Sequence, residues 1–293
     1  MYFDERKILI LKNAPNCAII NENERCSFMY NEKSLDTVCA SLCYAIGIDK
    51  PLSATNGNED INAFIDNAFN GKKADRLFIY NPDAVAQWIS EKYPEYMNDV
   101  FNLTQVKIPL KSVMPSVTPV CFGTFYTGVQ PEIHGIRKYE KPVIKTDSFF
   151  DTLVRNGKKV AIVAESKSSM AMIFLDRDID YYIYDTIAEV NAKAMELIAE
   201  DKHDVICVYN GNYDSIMHKV GPEGTRALAE LKCNTDAFAT FVHLIKRYWK
   251  KHNTFYGYAM DHGCHEIDGE SGSHGLDMEE DLNICHYYGA VSR

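Results

Sequence analysis

The sequence lacks several features by which protein classes are recognised. Its nine cysteines form no Cys-x-x-Cys pair and are odd in number, which argues against a zinc ribbon and a disulfide framework. It also lacks a basic excess. The formal net charge is −10 at pH 7, so a surface that wraps a nucleic acid polymer is not expected. The opening MYFDERKILIL has too short an apolar run for a signal peptide or a membrane span, and we therefore predict a cytoplasmic protein without a membrane partner.

Internal repeats, low-complexity linkers and a clear domain boundary are missing as well. A chain of 293 residues with 46% hydrophobic content can bury one large core, and we predict a single domain over residues 1–293. Histidine is absent before His134, since all nine histidines lie at or beyond that position. Any imidazole chemistry is therefore weighted to the second half of the chain.

Short apolar runs that alternate with amphipathic segments are what the sequence has in abundance. Strands are predicted at residues 7–11, 17–20, 76–80, 106–110, 159–164, 171–175, 181–184, 204–209, 254–260 and 282–288. Helices are predicted at residues 35–46, 60–69, 84–93, 148–155, 186–200 and 226–250. This alternation predicts an α/β fold with a mostly parallel central sheet and helices on both faces.

Side chains with metal-binding chemistry follow the ends of several of these strands. Asp83 comes after RLFIYNP, the pair Asp261 and His262 comes after TFYGYAM, and His274 follows in a loop rich in Gly and Ser. The carboxyl ends of buried parallel strands open onto a crevice whose loops are free to carry function. Taken alone, each residue has a plain structural explanation, such as a helix cap for Asp83.

Two sets of three ligands can be assembled from these strand ends. Asp214 and His218 stand four residues apart after DVICVYN, a spacing that brings both side chains to one side of a helical turn. With His274 they would form a set of two imidazoles and a carboxylate, which zinc accepts. The second set would consist of Asp83, Asp261 and His262.

A loop rich in Thr, Ser, Gly and Pro follows the strand at residues 106–110 and contains Thr118. Such a loop before a helix offers hydroxyls and backbone N–H groups to an anion. An ordinary turn-rich connection is the alternative explanation.

Four pieces of the chain carry a resemblance to a known family: IYNPDAV, VTPVCFGTFYTGVQPEIHGI, YDSIMHKVGP and MDHGCH…SHG. The chain resembles the alkaline phosphatase superfamily, in particular its type I phosphodiesterase/nucleotide pyrophosphatase branch. The most specific piece is the string DxxxHxxGP from Asp214 to Pro222, whereas DHG alone is common. Residues 1–74 match the family poorly. The resemblance implies an alkaline-phosphatase-like three-layer sandwich.

The resemblance also implies residue roles. Thr118 aligns with the family's nucleophile, which would form a phospho-threonine intermediate on a small phosphate-ester substrate. Two divalent ions would flank it, Zn²⁺ being expected and Mn²⁺ the alternative. Their ligands would be the two sets described above. His134 would be structural, beside the site. The weaker candidates for substrate contact are Cys121, Phe122 and Tyr213.

Two departures leave the substrate class open. Cys121 stands where family diesterases carry an Asn, and Pro119 directly follows Thr118 instead of coming one position later. A phosphomonoesterase, a sulfatase, a phosphonate hydrolase or a phosphoglycerate mutase-like enzyme would use the same scaffold. A metal-stabilised binding protein without catalysis is the alternative of another class. The sequence does not indicate an oligomeric state.

Overall fold

A computed structural model describes residues 30–293 of the chain. The predicted strands at residues 7–11 and 17–20 lie outside the described residues. The described strands are β1 (Arg76–Pro82), β2 (Val106–Lys111), β3 (Val160–Glu165), β4 (Asp180–Tyr184), β5 (Val205–Asn210), β6 (Thr254–Tyr258), β7 (His265–Ile267), β8 (Ser271–Ser273) and β9 (Asn283–Val291). Seven of them form one sheet in the order β2-β9-β6-β1-β5-β3-β4, while β7 and β8 form a separate antiparallel pair.

The central sheet is mostly parallel, as the sequence predicts. β1 lies between β5 and β6 and is parallel to both, and β3 is parallel to β4 and β5. Only β9 runs the other way, pairing antiparallel with β2 and β6. Every residue of β5 is buried. This is why VICVYN reads as a continuous apolar run and not as an alternating one.

Helices cover both faces of this sheet. The described helices are α1 (Thr37–Ile46), α2 (Glu59–Phe69), α3 (Gln87–Lys92), α4 (Pro94–Leu103), α5 (Thr118–Thr127), α6 (Pro131–His134), α7 (Phe149–Arg155), α8 (Ser169–Met172), α9 (Ile187–Glu200), α10 (Asn212–Val220), α11 (Thr225–Tyr248) and α12 (Glu279–Leu282). Within residues 30–293 none of them has the length and apolar character needed to cross a bilayer.

Side chains of β1 show which helices lie on which face. Phe78 and Tyr80 point to one face, where both rings contact Phe241 of α11. Asn81 points to the other face, where it accepts a hydrogen bond of 2.6 Å from the hydroxyl of Tyr126 in α5. Because successive strand residues alternate between faces, β1 is enclosed between α5 and α11. The expected three-layer α/β architecture is confirmed.

Three local predictions differ from the structure. Residues 171–175, predicted as a strand, instead follow the start of α8, which Ser168 caps by accepting the N–H of Ala171. A short apolar run can be buried in a strand or in a helix, so the periodicity of its residues does not distinguish the two. The helix predicted from residue 60 begins one residue earlier, at Glu59, and its cap is Asn58. Finally, α3 begins at Gln87, so Asp83 is free of a capping role.

His134 is a buried structural residue beside α5, as expected. Its Nδ1 accepts the N–H of Ile136 at 3.3 Å, which leaves Nε2–H to donate to Thr124 Oγ1 at 3.0 Å. A Cβ on Gly123 would lie 2.7 Å from Cε1 of this ring, so the close packing requires glycine there. Burial lowers the pKa of His134 to about 4, and the imidazole is neutral in the folded protein.

The lowered pKa of His134 predicts a pH-dependent stability. The unfolded imidazole has its ordinary pKa near 6.5. The contribution is therefore fully present above that pH and is lost as the pH falls towards 4. Across this window we expect His134 to remove about 3 kcal/mol from the free energy of unfolding.

His134→Gln keeps one donor and one acceptor but cannot titrate. Urea unfolding at a series of pH values should therefore show a shallower loss of stability in this variant than in the wild type. Equal slopes for the two proteins would contradict the assignment of a neutral buried imidazole.

Candidate active site

The predicted metal ligands collect at the carboxyl ends of three neighbouring strands. Asp83 directly follows β1, and Asp261 and His262 come shortly after β6. β5 ends at Asn210 and leads into α10, which carries Asp214 in its first turn. Since β6, β1 and β5 are adjacent and parallel, their ends open at the same edge of the sheet.

The first set of three ligands converges on one point. Asp214 Oδ1 lies 3.2 Å from His218 Nε2 and 3.3 Å from His274 Nε2. The Nδ1 atoms of these two imidazoles lie 2.9 Å from the carbonyl oxygens of Gly272 and Ser116. A carbonyl only accepts, so both Nδ1 atoms carry hydrogen. In the neutral rings, each Nε2 therefore turns a lone pair towards the carboxylate.

The second set repeats this arrangement in a fully buried position. His262 Nε2 lies 3.3 Å from Asp261 Oδ2 and 3.4 Å from Asp83 Oδ1. Its Nδ1 lies 2.9 Å from the carbonyl oxygen of Gly263, which again assigns the proton to Nδ1. In each set the three residues offer ligand atoms that all lie within 4.8 Å of one another.

The chemistry of both sets fits a divalent cation. Asp83 Oδ1, Asp214 Oδ1 and Asp261 Oδ2 are buried and have no hydrogen-bond partner among residues 30–293. Buried polar atoms without partners are costly, and here their lone pairs face other lone pairs. A cation between them would remove the repulsion. Imidazole and carboxylate together suit Zn²⁺ and also Mn²⁺.

The carboxylate pKa values show which of these acidic side chains lack compensating positive charge. Burial raises the pKa of Asp83 and of Asp261, and each of these carboxylates has a further carboxylate nearby that raises it again. Burial also acts on Asp214, but the imidazoles of His218 and His274 outweigh it and leave the pKa of Asp214 below its ordinary value. A bound divalent ion would take over this charge compensation.

The carboxylate of Asp214, 3.2 Å from Nε2 of His218, favours the protonated imidazole and raises the pKa of His218 to about 9. In the absence of a metal ion, His218 is therefore protonated at neutral pH and forms an ion pair with Asp214. A metal ion at this set must displace that proton, so the affinity for metal falls as the pH is lowered.

The hydroxyl of Thr118 lies beside the second set, and Thr118 shares a cavity with a ligand of the first set. Thr118 is the first residue of α5, a helix that starts with Pro119 in its first turn. Its Oγ1 lies 3.3 Å from Asp83 Oδ2 and 3.4 Å from His262 Nε2. A cavity of about 170 Å³ is lined by Thr118 together with Asp83 of one set and Asp214 of the other. The rings of His262 and His274, one from each set, have centroids 4.1 Å apart.

Tyr209 is a site residue that sequence reasoning missed. It belongs to β5, its hydroxyl donates a hydrogen bond to Asp83 Oδ2, and it also lines the cavity. This bond leaves Oδ1 of Asp83 as the atom that faces His262. A Cβ on Gly211 would lie 2.6 Å from the hydroxyl of Tyr209, so glycine makes room for it. The available signal was an aromatic residue at the carboxyl end of a buried strand, five positions before Asp214.

The three predicted substrate contacts pack in the core instead. Cys121, Phe122 and Tyr213 are fully buried, and the described cavity beside Thr118 is lined by other residues. Cys121 Sγ accepts the hydroxyl hydrogen of Ser112, and burial raises the pKa of its thiol. Such a thiol is inert, which disfavours a nucleophilic cysteine. The hydroxyl of Tyr213 donates to the carbonyl of Pro222 at 3.1 Å.

No protein-family model and no curated protein matches the sequence. Solved structures do match. Murine ectonucleotide pyrophosphatase/phosphodiesterase 5 is similar with a TM-score of 0.51 and 18% identity over 66% of this chain and 58% of its own. An inactive form of that protein, with one threonine replaced by alanine and in complex with AMP, matches with a TM-score of 0.51 and 17% identity over the same shares. The human protein matches with a TM-score of 0.52 and 15% identity, again over 66% and 58%.

The chain therefore has the fold of these ectonucleotide pyrophosphatase/phosphodiesterase structures, in agreement with the fold that the sequence resemblance implies. The chain spans 58% of the length of these neighbours. At such identities the likeness is one of architecture, and the chemistry must be argued from the residues of this chain.

The two ligand sets predict a metal stoichiometry that can be counted. We expect protein stripped with a chelator to bind two Zn²⁺ ions per chain, because each set would place one cation among unpaired lone pairs. His274→Ala should lose the ion of the first set and Asp261→Ala that of the second. Calorimetric titration and elemental analysis would measure this. At a free ion concentration of 100 times Kd, each site should stabilise the wild type by about 2.7 kcal/mol.

His252→Ala is the matched control, because this histidine instead pairs with Asp201 at 2.9 Å, outside both sets. It should retain both ions. Two ions per chain in His274→Ala and in Asp261→Ala alike would show that the sets are not the binding sites.

Proposed function

We propose that this protein is a metal-dependent hydrolase of phosphate esters that acts on a small substrate as a phosphodiesterase or nucleotide pyrophosphatase. The observation that carries the proposal is the position of the Thr118 hydroxyl, within 3.4 Å of two residues of one set, Asp83 and His262, while Thr118 lines one cavity with Asp214 of the other. The names of the structural neighbours support it. So does the AMP complex of the murine protein that a threonine-to-alanine replacement makes inactive.

Two divalent ions would be held by the two sets, one by Asp214, His218 and His274, and the other by Asp83, Asp261 and His262. When bound, such ions supply charge compensation for phosphoryl oxygens and lower the pKa of an attached hydroxyl or water. A threonine hydroxyl is a poor nucleophile at neutral pH and needs this activation.

Thr118 Oγ1 would attack the phosphorus in line with the leaving oxygen. The Oγ1–P bond forms as the ester P–O bond breaks, and the proton lost from Oγ1 is balanced by one taken up by the leaving oxygen, which gives a phospho-threonine and the free alcohol. Water then cleaves the Oγ1–P bond: its oxygen stays on phosphorus, and one of its protons returns to Oγ1 to restore the hydroxyl. Asp83 Oδ2 accepts the hydroxyl hydrogen of Thr118 before attack, and the donor Tyr209 holds that carboxylate in place. The first turn of α5 fixes the Oγ1 position, as proximity effects require.

We expect the loss of the nucleophile to separate catalysis from metal binding. Thr118→Ala should lower kcat by at least about a thousandfold, because no other hydroxyl replaces Oγ1. The variant should still bind both ions, since Thr118 is not a ligand. Release of p-nitrophenol from bis-p-nitrophenyl phosphate measures the first effect and elemental analysis the second.

Thr118→Ser should keep a measurable rate because it retains the hydroxyl. Thr127→Ala, on the same helix, is a control: its hydroxyl only donates to the carbonyl of Gly123. Hydrolysis at the wild-type rate by Thr118→Ala would rule out the phospho-threonine route.

The choice among esters can be tested directly. We expect the wild type with Zn²⁺ or Mn²⁺ to hydrolyse bis-p-nitrophenyl phosphate faster than p-nitrophenyl phosphate, and both faster than p-nitrophenyl sulfate. A reversed order would favour a phosphomonoesterase or a sulfatase on the same scaffold. Bound metal without turnover of any ester would favour the non-catalytic binding protein.

A further inference from the structure

The cavity beside Thr118 has a second wall that the proposed reaction does not use. Part of the cavity lining consists of Thr118 and the ligands Asp83 and Asp214. Another part is formed by Tyr139 and Lys141, from the segment between α6 and α7, and by residues 165–169, which connect β3 to α8. We refer to Tyr139, Lys141 and residues 165–169 as the β3–α8 wall.

The β3–α8 wall carries more positive than negative charge. Lys141 and Lys167 line it together with a single carboxylate, that of Glu165. Lys141 Nζ donates to the carbonyl oxygen of Lys167 at 2.7 Å and lies 5.1 Å from the ring centroid of Tyr139. These two contacts position the ammonium group, yet an ammonium has three donors. Further N–H groups of Lys141 are therefore available to a ligand in the cavity.

Lys167 has a backbone conformation that residues other than glycine seldom adopt. Its φ is +64°, in the left-handed region. Its neighbours hold this conformation: the N–H of Ser166 bonds to the carbonyl of Tyr184 at 2.7 Å, and Ser168 caps α8. Residues kept in such conformations by their surroundings cluster at ligand sites. Here the conformation directs the carbonyl of Lys167 to Lys141.

Ser169 provides an independent observation. Three serines line the β3–α8 wall, and two of them have structural roles. Ser166 Oγ donates to Asp185 at 2.8 Å, and Ser168 Oγ accepts the N–H of Ala171 at 3.2 Å. Ser169 Oγ is buried and has no hydrogen-bond partner within residues 30–293. A buried hydroxyl without a partner is costly unless a ligand supplies one.

We propose that Lys141, Lys167 and Ser169 bind a second anionic group of the substrate, so that the preferred substrate is a phosphate ester that also carries a carboxylate or another phosphate. The inference rests on the proposed function, because Thr118 and the two ligand sets place the phosphoryl group that reacts. The cavity holds about 170 Å³, so the second anion lies within a few bonds of the first. A small ester with a single anionic group would leave Ser169 Oγ without a hydrogen-bond partner.

A matched pair of probes tests the inference by binding. Phosphoglycolate carries a carboxylate where ethyl phosphate carries a methyl group, and inorganic pyrophosphate carries a second phosphate. The binding experiment uses Zn²⁺-loaded Thr118→Ala, which cannot turn these probes over by the proposed route. Calorimetry gives the ratio of the Kd value for ethyl phosphate to that for each probe with two anionic groups. Lys141→Met with Lys167→Met should lower that ratio at least about tenfold, because two charge-assisted hydrogen bonds are lost.

The larger effect identifies the second group: a greater loss with phosphoglycolate indicates a carboxylate, and a greater loss with pyrophosphate a phosphate. Lys138→Met is the control, since this lysine belongs to the same segment but pairs with Glu140 at 3.4 Å instead of lining the cavity. It should leave the ratio unchanged. The ratio also cancels any general attraction of the bound ions for a more highly charged probe.

Ser169→Ala distinguishes ligand binding from a structural role. Removal of a hydroxyl with a structural role would lower the free energy of unfolding, whereas removal of one without a hydrogen-bond partner should not. We expect unchanged or increased thermal stability and a ratio lowered about tenfold. An unaltered ratio in the double lysine variant would overturn the inference, even if p-nitrophenyl esters are hydrolysed. If the lysine variants lower the ratio of Kd values but the wild type hydrolyses no ester, the result would support the anion site and contradict the proposed function.

Discussion

Repulsion between buried lone pairs dominates the carboxyl edge of this sheet. Asp83 and Asp261 are buried, and their unpaired oxygens face the lone pair of His262 Nε2. Removing either side chain would relieve the repulsion, and so would a cation. A protein that keeps such an arrangement gives up stability at this edge, and the rest of the core must compensate for that cost. The binding of cations and the stability of the fold are therefore coupled.

A buried polar network holds the strand ends in register. Tyr80 of β1 donates to Asn234 of α11 at 3.0 Å and accepts from Asn210 at the end of β5 at 2.8 Å. On the opposite face, Asn81 donates to the carbonyl of Ala259, after β6, at 2.7 Å and accepts from Tyr126 of α5. These bonds tie three strands and two helices together two to four residues before the ligands Asp83, Asp261 and Asp214. Buried hydrogen-bond networks of this kind rigidify a core.

The sequence predicts the fold class correctly, and the residues that it assigns to each ligand set lie close together in the structure, because the carboxyl ends of parallel strands share one edge. Side-chain direction is harder to predict. Cys121 and Phe122 follow Thr118 by about one helical turn, a spacing that places residues on one side of a helix. In the structure both side chains are nonetheless buried in the core, and neither lines the cavity beside Thr118. Tyr209 was not predicted for a different reason. Its hydrogen bond to Asp83 depends on how β5 is aligned with β1, and the sequence of either strand alone does not determine that register.

Bound cations would also explain how an acidic chain could accommodate the proposed anionic ester. The net charge of −10 acts through solvent, where charges separated by more than about 8 Å are largely screened at physiological ionic strength. Within the cavity, by contrast, the low dielectric strengthens every interaction. The two ligand sets would serve any phosphoryl or sulfuryl ester equally well, since they contact only the reacting group. Discrimination among esters must then come from the groups that face the remainder of the molecule, and in this chain those groups are on the β3–α8 wall.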